Sequence, residues 1–363
     1  MSGDAVTDRE QRILGIIETA RAKPRRFRED AITMAHGAGG KATRGLIEGL
    51  LAPAFGAQSP AALADAAALA LDGVGVAMTT DTFVVHPLTF PGGCIGELAV
   101  NGTVNDLAVA GARPAALALA LVLEEGLGAG ELRAQVEAIA ATAAAAGVDV
   151  VTGDTKVVER GKADGMYVCT TGVGIRDPRA RLAPDVIRPG DRILLSGPVG
   201  EHGTAIMLAR GELGLEADIE SDTRSLWPAM DALLEAAGQQ LRCVRDATRG
   251  GVASVLNELA RASQVAMLVQ EAAVPVRPEV AGAAEILGID PMYIANEGVL
   301  VAFAGPQAVP AALAALREVA GCGAAAEIGE VRTEPPGMVL LETGFGGRRV
   351  MDELVGDPLP RIC

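Results

Sequence analysis

One pattern occurs twice and does most to limit the fold. Met78-Thr79-Thr80-Asp81-Thr82-Phe83-Val84-Val85 is an apolar strand holding a single acid, and Val150-Val151-Thr152-Gly153-Asp154-Thr155-Lys156 echoes it with a second Thr-x-Asp-Thr. Between them, Gly96 to Gly111 has the spacing of a helix. Ala, Val and Leu fill one side, Glu97, Asn101 and Asn105 fall four apart on another, and Gly111 and Pro114 end it. The apolar run from Pro114 to Leu123 suits a buried strand and is too short to span a bilayer. Strands alternating with helices require many turns, which 45 glycines and 20 prolines supply. Only 2% of residues are aromatic, so the cores must be built from Ala, Val, Leu and Ile. At 363 residues the chain has room for two such cores. Arg188-Pro189-Gly190-Asp191 turns into the strand Arg192-Ile193-Leu194-Leu195, placing a domain boundary around Pro184 to Gly190.

The net charge of -15 argues against nucleic-acid and anionic-membrane partners, because no basic face is offered to phosphate backbones. Five scattered cysteines (Cys94, Cys169, Cys243, Cys322, Cys363) lack any Cys-x-x-Cys pair, which points to free thiols in a reducing cytoplasm. His36, His86 and His202 lie too far apart in sequence to suggest a metal site. No targeting segment is expected in residues 1–30, whose longest apolar run is Ile13 to Ile17, and Arg21 to Arg28 reads as a solvated basic linker.

Several stretches carry possible chemistry. His36-Gly37-Ala38-Gly39-Gly40-Lys41 precedes a helix through Leu46, Ile47, Leu50 and Leu51, so its backbone N–H groups could close on an anion. It is not a Walker A loop, and a flexible turn explains it equally well. Asp81, Asp106 and Asp154 are candidates for one Mg²⁺-phosphate site, since Mg²⁺ takes a few carboxylates together with phosphate oxygens. Asn105, beside Asp106 in an apolar helix, is costly to bury without a task. In Asp246-Ala247-Thr248-Arg249-Gly250-Gly251, either Asp246 or Thr248 could cap the helix that follows, and Arg249 with two glycines equally suits an anion-facing turn. Glu297 stands between two apolar stretches at a strand entrance, where partial burial would raise its pKa and make it a base.

The sequence ends in Gly356-Asp357-Pro358-Leu359-Pro360-Arg361-Ile362-Cys363. Its two prolines forbid a helix and favour an extended path. Pro358 to Cys363 can reach up to roughly 20 Å, so the last thiol stands on a semi-stiff arm, with Gly346-Gly347 as a natural hinge.

Taken in order, these motifs are joined by Thr80-Asp81-Thr82-Phe83-Val84-Val85-His86-Pro87, Pro91-Gly92-Gly93, Val104-Asn105-Asp106-Leu107-Ala108, Gly153-Asp154-Thr155-Lys156, Asn296-Glu297-Gly298 and Pro360-Arg361-Ile362-Cys363. From about residue 31 onward the chain resembles the HypE family of [NiFe]-hydrogenase maturation proteins. That family falls within the superfamily of aminoimidazole ribonucleotide synthetase, selenophosphate synthetase and thiamine-monophosphate kinase. Cys94 and Asn101 stand where the family more often has an Asp and a Cys.

The resemblance implies a two-domain α/β (α+β) fold. After an extension at 1–30, residues 31–184 would form an ATP-binding domain, a mixed sheet with helices on one face that joins a second copy in a homodimer. Residues 185–345 would form a second α/β domain, and 346–363 a flexible tail. It further implies ATP-dependent dehydration of an S-carbamoyl group on Cys363 to a thiocyanate, after loading by the carbamoyltransferase HypF. The cyanide would then pass to iron on a HypC–HypD complex. Asp81, Asp106 and Asp154 would hold Mg²⁺, and His36, Gly37, Gly39, Gly40, Asn105, Asp246, Thr248 and Arg249 would bind ATP. Glu297 and Lys156 would share the proton transfers. The nearest alternatives are a superfamily kinase or synthetase with a diffusible substrate and a non-enzymatic scaffold.

Overall fold

The computed structural model describes residues 27, 29–54, 64–211, 217–354 and 361–363. Most of the 1–30 extension and both tail prolines lie outside the described residues. A short helix α1 (Lys41–Leu46) follows the glycine loop, and its turns widen over Ile47–Leu51. The first sheet contains β1 (Ala67–Leu71), β2 (Val74–Phe83), β5 (Ala112–Glu124), β6 (Asp149–Val158) and β7 (Met166–Arg176), after a small hairpin of β3 (Thr89–Phe90) and β4 (Gly93–Cys94). Its order is β1-β2-β7-β5-β6. Every pairing is antiparallel except β5 with β6, which are parallel and joined across α3 (Ala129–Ala146).

Both Thr-x-Asp-Thr acids therefore lie inside strands, Asp81 in β2 and Asp154 in β6. Helix α2 (Ile95–Val109) covers one face of this sheet through Val100, Val104 and Leu107. Among the described residues nothing covers the opposite face, which exposes Leu69, Leu71, Met78, Val173 and Ile175.

The second sheet runs β14-β13-β10-β12-β8-β11-β9. In chain order these are β8 (Arg192–Leu195), β9 (Leu241–Asp246), β10 (Ala266–Gln270), β11 (Leu300–Ala304), β12 (Ala326–Arg332), β13 (Val339–Glu342) and β14 (Arg348–Val350). Helices α4 (Glu201–Ala209), α5 (Trp227–Ala237), α6 (Gly251–Ser263), α7 (Pro278–Leu287) and α8 (Val309–Arg317) surround it. Successive side chains of a strand face opposite ways, so this sheet has two cores. Ile193, Leu195, Val301 and Phe303 meet α6 on one side, while Leu194, Leu300 and Ala302 meet α5 and α8 on the other. Ala108 and Val109 of α2 join the second core, so the last turn of α2 is packed into the second sheet's layer.

The structure changes two expectations about the chain's end. Gly346-Gly347 is not a hinge but the turn of the β13–β14 hairpin, closed by Thr343 N–H to the Gly347 carbonyl at 2.8 Å. The segment after β14 is anchored as well: the Lys41 ammonium lies 2.7 Å from Asp352, and the Arg44 guanidinium 2.5 Å from the buried Glu353.

Candidate active site between the two sheets

Acids from four places converge at the seam between the sheets. Asp65 lies just before β1, Asp81 in β2, Asp106 in the last turn of α2, and Asp246 at the end of β9. Oxygens of Asp65, Asp106 and Asp246 all lie within 4.8 Å of one another. Burial raises the Asp81 carboxyl above its ordinary range, with the Arg249 charge opposing and the Asp65 charge adding. The Thr79 hydroxyl lies 2.6 Å from Asp106 Oδ2. Burial pushes the Asp106 and Asp246 carboxyls well above the ordinary range. For Asp106 the Asp81 charge adds most to this, and for Asp246 the Asp65 charge does. Only a proton or a cation relieves such crowding. A hard divalent ion with oxygen donors, such as Mg²⁺, fits this donor set.

Glu297 is 3% exposed, three residues before β11. Burial is the main force raising its pKa, followed by the charges of Asp246, Asp222 and Asp81, with Arg249 opposing them. Its backbone is fixed by Asp222, whose two carboxylate oxygens accept from Glu297 N–H and Gly298 N–H, each at 3.0 Å.

The glycine loop closes over the Arg249 turn. Arg249 Nη1 donates to the Gly37 carbonyl at 3.1 Å. Gly39 has φ +77, and a Cβ there would stand 2.7 Å from the Arg249 carbonyl. A Cβ on Gly40 would meet the Leu354 carbonyl at 2.5 Å, so both positions need glycine for close approach. His36 is buried and already engaged, with Nδ1 3.0 Å from Thr33 N and Nε2 3.1 Å from Glu29. Thr248 contributes its carbonyl to the turn that starts α6, accepting from Gly251 N–H at 2.8 Å. Neither Asp246 nor Thr248 caps that helix, because Gly250 occupies the cap position in the left-handed region.

Three expectations are redrawn by this geometry. The Asn105 amide is fully engaged across the seam: Nδ2 donates to the Arg224 and Glu297 carbonyls at 2.9 and 3.2 Å, and Oδ1 accepts from Leu226 N–H at 2.7 Å. Asn105 thus fastens the two layers rather than standing open to a ligand. Asp154 and Lys156 pair with each other at 2.5 Å on the exposed strand β6, outside the acid cluster of the same chain. The lysine holds the Asp154 carboxyl below its ordinary value.

Asp65, which pairs with Arg245, was missed in the sequence. It is a lone acid in a run of alanines. Asp222 was also missed, and nothing in its local sequence marks it.

The end of the chain meets this site. Cys363 lines a cavity of about 100 Å³ together with Gly37, Ala38, Val84, Arg249 and Gly250. The charge contributed by Cys363 is the foremost reason that Arg249 is held protonated, ahead of Asp81, Glu297 and Asp106.

Two sheets joined by a seam of acids define the class. The family models "AIR synthase related protein, N-terminal domain" and "AIR synthase related protein, C-terminal domain" match residues 63–176 and 188–340. Within that class the chain is 49% identical over 340 residues to the carbamoyl dehydratase HypE of Rhodobacter capsulatus, covering 93% of this chain and 99% of the relative. A crystal structure of the hydrogenase maturation protein HypE in complex with ATP superposes with TM-score 0.77 at 43% identity, covering 92% of this chain and all of that one. The HypE–HypF complex superposes with TM-score 0.80 at 39% identity, covering 85% and 99%. The chain belongs to the HypE family of hydrogenase-maturation enzymes.

Proposed function

We propose that Cys363 is the carrier on which this enzyme turns an S-carboxamide into a thiocyanate at the expense of ATP. The observation that supports it best is the place of Cys363, in one cavity with the glycine loop and Arg249, beside the buried acids. ATP phosphorylates the carboxamide oxygen, making that oxygen a leaving group as phosphate. A new P–O bond forms as the bond to ADP breaks. The nitrogen then gives up both of its protons while the C–O bond breaks, leaving S–C≡N, ADP and phosphate.

Glu297 suits the role of base, because burial makes its carboxylate more basic than an exposed one. Asp65, Asp81, Asp106 and Asp246 are the residues that would hold Mg²⁺, which supplies charge neutralisation for phosphoryl transfer. Arg249 and Gly37 line the same cavity and suit the phosphates, with Gly39 and Gly40 next along the loop and Thr248 on the adjoining turn.

The bare face of the first sheet suits a homodimer, since apolar side chains exposed on a sheet favour burial against a second copy. Asp154 and Lys156 stand on that same sheet, and we assign them to the partner copy's site. HypF, bound to HypE in a solved complex, would load Cys363, and a HypC–HypD complex would receive the cyanide. Among the described residues no helix is long and apolar enough to cross a membrane. We place its action in the cytoplasm, since five scattered cysteines without a Cys-x-x-Cys pair suit a reducing compartment.

Mass spectrometry of the C-terminal peptide, after incubation with the carbamoyltransferase, carbamoyl phosphate and MgATP, tests the reading. Carbamoyl and dehydrated adducts on Cys363 are expected. A thiol that stays unmodified throughout overturns it and favours a diffusible substrate.

A further inference from the structure

Cys363 does not reach its cavity by side-chain contacts alone, because the main-chain oxygens of the last three residues are each gripped. Arg210 Nη2 donates to the Arg361 carbonyl at 2.6 Å. His202 Nε2 lies 2.6 Å from the Ile362 carbonyl, and Val84 N–H donates to the Cys363 main-chain oxygen at 3.1 Å. The Ile362 side chain is buried among Phe83, Val85, Phe90, Ile206 and Ile294.

His202 is the least expected member of this set. It is fully buried in α4 with its ring edge-on to Phe90, centroids 5.7 Å apart, and nothing in the reaction calls for it. A carbonyl can only accept, so Nε2 carries the proton. Nδ1, 2.8 Å from Ser221 Oγ, must then accept from that hydroxyl. Ser221 is itself held, with its N–H on the Pro91 carbonyl at 2.8 Å and its Oγ accepting from Thr223 N–H at 3.2 Å. Burial drives the imidazole pKa down to about 4, so the ring stays neutral and keeps one tautomer. With the tail withdrawn, this buried N–H loses its acceptor, which disfavours the withdrawn state.

From this chain of hydrogen bonds we propose that His202, oriented by Ser221, is a positioning residue that seats the Ile362-Cys363 peptide. It thereby presents the group carried on Cys363 to the acid site. These contacts fall on main-chain oxygens and on the Arg361 and Ile362 side chains, so the same seat serves the thiol, the carboxamide and the thiocyanate. The inference rests on Cys363 being the carrier, yet the seating itself is measured without carbamoylation or dehydration.

The test uses the full chain and a short iodoacetamide pulse, with Cys363 alkylation read on the C-terminal peptide. His202→Leu is expected to raise the alkylation rate about 10-fold, and His202→Gln, whose amide N–H can reach the same carbonyl, to stay within about 2-fold of the parent. Thiocyanate yield per carbamoylated chain should fall in the same order, while carbamoyl loading does not. Melting temperature and MgATP binding check the fold. Arg210→Ala, at a partly exposed position, gives a second readout in the same direction if His202→Leu does not fold. Unchanged alkylation in folded His202→Leu, or in Arg210→Ala where only that variant folds, overturns the proposal. So does a folded His202→Gln that behaves like Leu. A parent chain that is never carbamoylated counts against Cys363 as carrier and leaves the alkylation result standing.

Discussion

Asp81 and Asp154 arise from the same local pattern and end in opposite surroundings. Each follows a Thr-x in an apolar strand, but β2 is an inner strand whose far end points into the seam, while β6 is the sheet edge. Asp81 is pushed up chiefly by burial, and its charge in turn raises Asp106. Asp154 is exposed, held by Lys156, and stays below its ordinary value. A carboxylate's chemistry is therefore set by the face it takes, Asp81 the one that α2 covers and Asp154 the opposite one, and by what the second sheet adds across the seam. Desolvation makes one acid hungry for a cation and leaves the other as a solvated ion pair.

The comparison can be broken most sharply at Glu297, which belongs to the buried set. Glu297→Gln should lower ATP-dependent thiocyanate formation by roughly 10²–10⁴-fold while MgATP still binds. Near-normal turnover on carbamoylated protein would remove the base assignment. Asp106→Asn comes next. Turnover should fall by about 10²-fold or more, yet the metal-free protein should gain roughly 1–3 kcal/mol of stability, because a crowded buried charge is gone. Denaturant unfolding in EDTA checks this, and a destabilised variant would mean that the crowding is relieved some other way.

pH gives a third and smaller effect. The Asp106, Asp246 and Glu297 carboxyls are raised in the fold, so above the ordinary carboxylate range the folded chain keeps protons that the unfolded chain has lost. Metal-free stability should thus fall as pH rises from that range through the raised values. The gain in melting temperature on adding Mg²⁺ should grow over the same window. A gain independent of pH would place the ion elsewhere. The smallest effect is expected at the exposed pair. Asp154→Asn should leave the melting temperature of a dilute, dissociated chain unchanged, since solvated ion pairs contribute little. If Asp154 serves a partner's site, mixing Asp154→Asn with Asp106→Asn chains should restore part of the activity that each lacks alone.

Much of this was legible in the sequence because it is local. Strand Arg192–Leu195 and the helix that ends before Gly111 follow from periodicity and turn residues, and Glu297 announces itself as a charge between apolar runs. The motif order alone was enough to suggest the family, and the comparisons with known proteins agree. Asp65 and Asp222 were not legible. Each is an unremarked acid in its own segment, and acquires meaning only from Arg245 or from the Glu297–Gly298 amides brought in across long stretches of chain. Asn105 was legible as important but not in its task, since its partners lie more than a hundred residues away.

The sequence by itself determined which elements form, because helix and strand periodicities and glycine turns act over a few residues. It also supplied a cysteine on a short arm at its end. The tertiary structure decided which acids share a low-dielectric seam, that Gly346-Gly347 closes a hairpin turn, and that a buried neutral histidine takes the Ile362 carbonyl. Those outcomes depend on burial and on hydrogen bonds between distant segments, and neither exists until the two sheets have packed.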